Sequence, residues 1–131
     1  LFKKLLKQAP TANYKGAFDG FDKLPHDDYD VFLLTSKNEG MPNVVIDALK
    51  ANHYVVAPTV GGIPEVITHH VNGALVEDRF DPMSYANEIQ DYYGKIITDD
   101  YVDMRSVVNA EVCLRHTQEQ YYKNLKKLYT D

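Results

Sequence analysis

Cysteine is nearly absent from this chain of 131 residues, which carries a single thiol at Cys113. One thiol excludes an intramolecular disulfide. In the run AEVCLRH, with apolar neighbours and no paired base, it reads as a small buried hydrophobe rather than a reactive nucleophile. Positive charge is also scarce: 14 Lys and Arg stand against 19 Asp and Glu, a formal net charge of −5. Phosphate contacts need a cationic surplus and no basic stripe stands out, so a general nucleic-acid binder is excluded. No apolar run approaches the roughly 20 residues that span a bilayer, and no secretory leader opens the chain, so the expected location is cytoplasmic. Internal repeats and low-complexity tracts are missing as well. What is present has the length and apolar content for one domain with a hydrophobic core.

The opening segment LFKKLLKQAP is amphipathic and predicts a helix that stops at Pro10. Without an initiator methionine or an N-cap, it reads as the end of something cut upstream. Lys3, Lys4 and Lys7 on its polar face offer contact with anionic lipid at the inner face of a membrane, against the plainer reading of a solvated helix face. The aromatic, glycine-punctuated run NYKGAFDGF predicts a strand over residues 14–18. YDVFLLTS, nearly continuous in apolar residues, predicts a central parallel strand buried on both faces. Pro42 suits the first position of a helix running to Asn52, with Val44, Val45, Ala48 and Leu49 on one face and Asn43 and Asp47 a turn apart on another. HYVVAP predicts a second buried strand, Gly61, Gly62 and Pro64 a short helix through Ile67, and GALVE a last strand after the turn VNG. Helices are expected over 82–97, 101–116 and 118–129. Strands alternating with helical connections predict an α/β fold, a three-layer α/β/α arrangement about a parallel sheet with ligands at the carboxyl ends of the strands.

The segment TSKNEGMPNVVIDALKANHYVVAPTVGGIPEV concentrates the chemistry. Glu39 sits just beyond the carboxyl end of the VFLLTS strand, and Asp47 follows on the next helix. A Gly-containing turn into a helix directs free backbone N–H groups and a positive dipole end at a phosphate, while carboxylates accept hydrogen bonds from sugar hydroxyls. Gly40 permits close backbone approach, and the amides of Gly40, Met41 and Asn43 can face a diphosphate or sugar; Pro42 cannot donate and sets the turn. Each feature has a plainer reading. Asp47 taken alone is a solvated helix residue, Gly61 and Gly62 a packing turn, and Glu65 a helix N-terminal carboxylate. His69 and His70, adjacent in sequence, are expected to point in different directions, with no carboxylate or cysteine at a zinc-ligand spacing, so no metal is expected.

The run YDVFLLTSKNEGMPNVVIDALKANHYVVAPTVGGIPEVITHHVNGALVE resembles the carboxyl-terminal domain of the retaining nucleotide-sugar glycosyltransferases of the two-Rossmann-domain GT-B architecture. It repeats that family's order of strand, acidic–Gly turn, Pro, acidic helix residue, VVA strand, GGxxE and GxLV over about a third of the chain. The resemblance implies a Rossmann-like half of a GT-B fold, present here as a single partial nucleotide-sugar-binding domain over residues 1–131. The amino-terminal acceptor domain and the basic GR…K segment are absent.

It further implies that Glu39 accepts hydrogen bonds from the donor sugar and that Asp47 takes the ribose hydroxyls. Asp47 departs from the family's usual Glu and loses a reach of roughly 1.5 Å. Gly40, Met41, Pro42 and Asn43 belong to the donor-sugar site, and Gly16 and Phe18 fall in the region that commonly reads the base. The implied reaction moves a sugar from a nucleoside diphosphate sugar to a hydroxyl of a glycan or lipid-linked acceptor, with retention, in polysaccharide or glycoconjugate biosynthesis. The nucleotide-sugar is a substrate, and no cofactor is expected. No residue here is a convincing nucleophile or general base, so the isolated chain is expected to be inactive. Two alternatives remain open: an epimerase or phosphorylase on the same architecture, the latter lacking its cofactor lysine motif, and a non-catalytic binding or interaction module.

Overall fold

The computed structural model describes residues 9, 11–95 and 99–130. The amphipathic opening segment, with Lys3, Lys4 and Lys7, lies outside them. Three strands, β1 (Val31–Leu33), β2 (Tyr54–Pro58) and β3 (Gly73–Val76), form a parallel sheet in the order β1-β2-β3. The register pairs Val31 with Tyr54 and Val55 with Gly73. Four helices accompany them: α1 (Asn43–Lys50), α2 (Pro82–Lys95), α3 (Asp99–Arg115) and α4 (Gln118–Thr130). Short 3-10 turns occupy Phe21–Lys23, His26–Asp28 and Ile63–Glu65.

Strand β2 explains the layering. Its side chains alternate between faces, and all five residues are buried. Val55 and Ala57 join Val45, Ala48 and Leu49 of α1, Val112 of α3 and Ile63, Val66 and Ile67 of the β2–β3 connection. Tyr54 and Val56 join Ala74 and Val76 of β3 and Tyr85 and Tyr92 of α2. Helices therefore cover both faces, which is the expected three-layer α/β/α arrangement. One layer is aliphatic and the other tyrosine-rich. In the latter Tyr54 stacks on Tyr92 with centroids 4.0 Å apart, and Arg105 donates to the Tyr92 hydroxyl at 2.7 Å.

Several boundaries depart from the sequence expectations. No strand forms over residues 14–18: Gly16 takes φ 83°, and Tyr14 and Phe18 are 63% and 57% exposed. The segment pairs with no strand of the described sheet, and both rings stay largely exposed, so β propensity alone does not form a strand here. The VFLLTS strand is shorter than expected and lies at an edge of the described sheet rather than its centre, with Leu33 45% exposed. The central, fully buried strand is β2. Pro42 is the N-cap of α1 with ψ 113°, not its first helical residue. The buried face of α1 includes Ile46, while Val44 is only half-buried.

Helix α1 stops at Lys50, two residues early, because Asn52 turns left-handed at φ 60°. The His53 N–H then donates to the Ala48 carbonyl and the Asn52 N–H to that of Leu49, both at 3.0 Å, a Schellman closure with Asn in place of Gly. The Asn52 side chain also accepts from Asn109 at 2.9 Å and donates to Ser106 at 3.1 Å, fastening the end of α1 to α3. Gly61, Gly62 and Pro64 introduce only one 3-10 turn. At the start of α2, Pro82 stands where its missing N–H costs nothing, and Asp81 accepts from the Met83 and Ser84 amides at 3.0 and 3.1 Å. These bonds hold the Asp81 carboxyl below the usual range. Helix α3 begins two residues before the expected Tyr101; Ile97, the expected end of α2, lies outside the described residues.

Candidate functional site

Beyond the carboxyl end of β1, the chain passes through residues 34–42 and enters α1. Glu39 is half-buried and Gly40 exposed. The turn is held from behind by the β2–β3 connection. Gly61 takes φ 56°, and a Cβ there would overlap the carbonyls of Glu39 and Gly40; the Gly62 N–H donates to the Gly40 carbonyl. A Cβ on Gly62 would strike the Met41 side chain. Gly61 is thus required by the close approach of two backbones, whereas at Gly62 the end of the Met41 side chain could give way, and the GGxxE segment acts here by positioning the Glu39 turn.

The first turn of α1 has no side-chain cap and no acidic residue. With Val45 donating to the Pro42 carbonyl, the Asn43 and Val44 amides face outward at the positive end of the helix, open to an acceptor from outside. Glu39, Gly40, Met41 and Asn43 share this turn. Met41, Asn43 and Ile46 line a cavity of about 410 Å³ whose far wall is the α3–α4 junction: Arg115, His116, Thr117, Gln118, Tyr121 and Asn124. Glu39 makes no hydrogen bond or ion pair among the described residues, so its carboxylate keeps its full accepting capacity. Asp47 differs, pairing with Lys50 at 3.4 Å along α1. Gly16 and Phe18 lie in irregular chain before the first 3-10 turn and do not line that cavity.

Sequence reasoning missed the junction residues. Arg115 closes α3, where a cation suits the helix dipole, so nothing in the local pattern separates a ligand-facing arginine from a capping one. Cys113 is half-buried; burial pushes its thiol up, against a smaller downward pull from Lys50. That accords with an unreactive hydrophobe.

The expectation for the histidines is corrected. His69 and His70 do not diverge: their rings stack with centroids 3.8 Å apart, and α2 brings Glu88 to 3.0 Å from His70 Nε2. The left-handed φ of 62° at His70 rotates its side chain back over its neighbour. A carboxylate 18 residues away completes the group, out of reach of any spacing rule.

No helix among the described residues is long and apolar enough to cross a membrane. A family model described as glycosyl transferases group 1 matches residues 23–95. A D-inositol 3-phosphate glycosyltransferase of Xylanimonas cellulosilytica is 35% identical over 86 residues, covering 66% of this chain and 19% of that protein. The chain thus spans about a fifth of that relative's length. A sucrose-phosphate synthase from Thermosynechococcus elongatus superimposes with a TM-score of 0.78 over 98% of this chain and 32% of that one, at 20% identity. At that identity the likeness speaks for the fold, a Rossmann-like α/β domain.

Proposed function

The chain belongs to the glycosyl transferases group 1 family, and from that premise we propose that it is a donor-binding, carboxyl-terminal domain of an enzyme that transfers a sugar from a nucleoside diphosphate sugar to an acceptor hydroxyl with retention. The observation that carries the reading is the Glu39 turn. A half-buried carboxylate without an internal partner stands beside the uncapped amino end of α1, braced by Gly61 and Gly62. Such a carboxylate fixes a sugar diol through two charge-assisted hydrogen bonds of roughly 1.5–3 kcal/mol each. The open amides favour the diphosphate and take up charge as it leaves. Met41 and Asn43 form the near wall of the sugar site, and Arg115 and His116 bring donors to its far wall.

Asp47 serves the ribose in this reading, on release from Lys50. Gly16 and Phe18 lie towards the base. The acceptor, a glycan or lipid-linked hydroxyl, enters from an amino-terminal domain, and the pathway is the assembly of a polysaccharide or glycoconjugate. Neither a cofactor nor a protein-bound metal has a part in the transfer.

The test is a two-dimensional amide NMR titration of this chain with UDP, GDP, ADP and their sugar conjugates, followed by Glu39→Ala in the full-length parent. Selective shifts over residues 37–48 with one nucleotide are expected, and loss of two charge-assisted bonds should lower transfer by roughly 100-fold. Transfer within about twofold of the unaltered parent after Glu39→Ala would sink the reading and favour a non-catalytic module.

A further inference from the structure

The outer edge of β3 carries a side-chain group unrelated to the Glu39 turn. Residues 68–73 form a tight reversal locked from inside by Asn72. This fully buried side chain accepts from the Thr68 N–H at 2.7 Å and donates to the Val66 carbonyl at 3.1 Å. The His70 N–H donates to the Gly73 carbonyl at 2.7 Å, and His69 bridges to Gly73 as a fragment of parallel strand. His70 holds φ 62°, a conformation unusual for a side chain of its size. The backbone beneath both imidazoles is therefore fixed before any ligand arrives.

The side chains are fixed as well. His69 Nδ1 accepts the Leu75 N–H at 3.0 Å, and His70 Nε2 lies 3.0 Å from Glu88 and 3.6 Å from Asp91 on α2. One ligating atom from each of His69, His70 and Glu88 lies within 4.8 Å of the other two. His69 and Glu88 face an open cavity of about 640 Å³ that Glu77 and Asp78 also line. Solvent thus reaches the group directly, through a negatively charged mouth that concentrates cations.

Two imidazoles and a carboxylate are a donor set for a late first-row divalent ion, with the fourth position left to water. Bonds of about 2.0–2.2 Å at a tetrahedral angle place donor atoms roughly 3.3 Å apart, and the His70–Glu88 pair already stands near that separation. A metal there takes the place of the hydrogen bond between them. His69 has to release the Leu75 N–H to ligate through Nδ1. That amide lies on an exposed sheet edge where water takes over as acceptor, a small loss beside a coordination bond.

We propose that His69, His70 and Glu88 form a divalent transition-metal site, suited to zinc, that ties the outer edge of β3 to α2. The site is independent of sugar transfer: it stands at the opposite edge of the sheet from β1 and makes no contact with the Glu39 turn.

Calorimetric titration of this chain with zinc chloride in a non-chelating buffer at neutral pH tests it, with the Leu75 amide followed by NMR. One zinc ion per chain at micromolar affinity is expected, with the Leu75 resonance moving on binding. His70→Ala and Glu88→Gln should each weaken binding by roughly tenfold or more, whereas His26→Gln should not. Absence of binding up to millimolar zinc would overturn the proposal, as would binding that survives both substitutions within about threefold. Glu88→Gln preserves shape on a half-exposed side chain, so it decides the matter even where His70→Ala unsettles the turn.

Discussion

The two edges of the sheet carry polar groups in opposite conditions. Past the end of β1, the Glu39 carboxylate is half-buried and takes no partner among the described residues. Along β3, every member of the His69, His70 and Glu88 group is already hydrogen-bonded. A ligand at the first edge adds bonds to a group that lacks them, while a ligand at the second has to displace a hydrogen bond and a backbone amide. On the proposed readings, the first edge takes a diol that comes and goes, and the second an occupant able to outcompete hydrogen bonds. Each has a brace behind it: close backbone contact at Gly61 behind Glu39, and the buried Asn72 side chain beneath the histidines.

Breaking the first brace should have the largest effect. Gly61→Ala places a Cβ against two carbonyls at a left-handed φ. The conformational penalty plus the overlap predicts a loss of about 2–5 kcal/mol, read as a lowered urea midpoint. A midpoint within about 0.5 kcal/mol of the parent chain would show that the two loops separate freely. Breaking the second brace comes next. Asn72→Ala strands the Thr68 N–H and the Val66 carbonyl, and about 1–3 kcal/mol is expected to be lost. Zinc binding should weaken with it while nucleotide-induced shifts at residues 37–48 persist; equal damage to both would contradict the independence of the two edges.

The smallest effect concerns a second histidine pair, His26 and His53. His53 is buried with its Nε2 2.9 Å from His26 Nδ1. Burial, and secondarily His26, hold its pKa below the ordinary 6.5. The unfolded chain therefore binds this proton first. The contribution to stability is complete above about pH 6.5 and is lost as pH falls from there through the folded value. Urea midpoints taken between about pH 7 and about pH 5 should fall less steeply for His53→Gln than for the parent chain. Identical slopes would remove His53 from the account.

The sequence placed some elements well because their signals are local. YVVAP is apolar at every position and proved to be the buried centre of the sheet. The helix expected from residue 82 does begin at Pro82. The Glu39 turn could be located from the strand before it and the helix after it. Other features had no local signal. VFLL is as apolar as β2, and which of the two lies at an edge depends on what pairs with it. The aromatics of residues 14–18 have strand character but no strand of the described sheet pairs with them. The convergence of Glu88 with His69 and His70 is created by α2 packing Tyr85 and Tyr92 against Tyr54 and Val56, which brings the next turn of that helix beside residues 68–73.

By itself, then, the sequence determined the alternation of strands and helices, the family and the position of the Glu39 turn, since periodicity, turn chemistry and a short motif act over a few residues at a time. Only the tertiary structure decided which strand is central, why glycine is needed at Gly61 behind Glu39, which residues of the α3–α4 junction face Met41 and Asn43, and that Glu88 lies within ligating distance of two histidines. Each of these depends on surfaces from distant segments meeting in space, and the energy of such a meeting is written in no single stretch of chain.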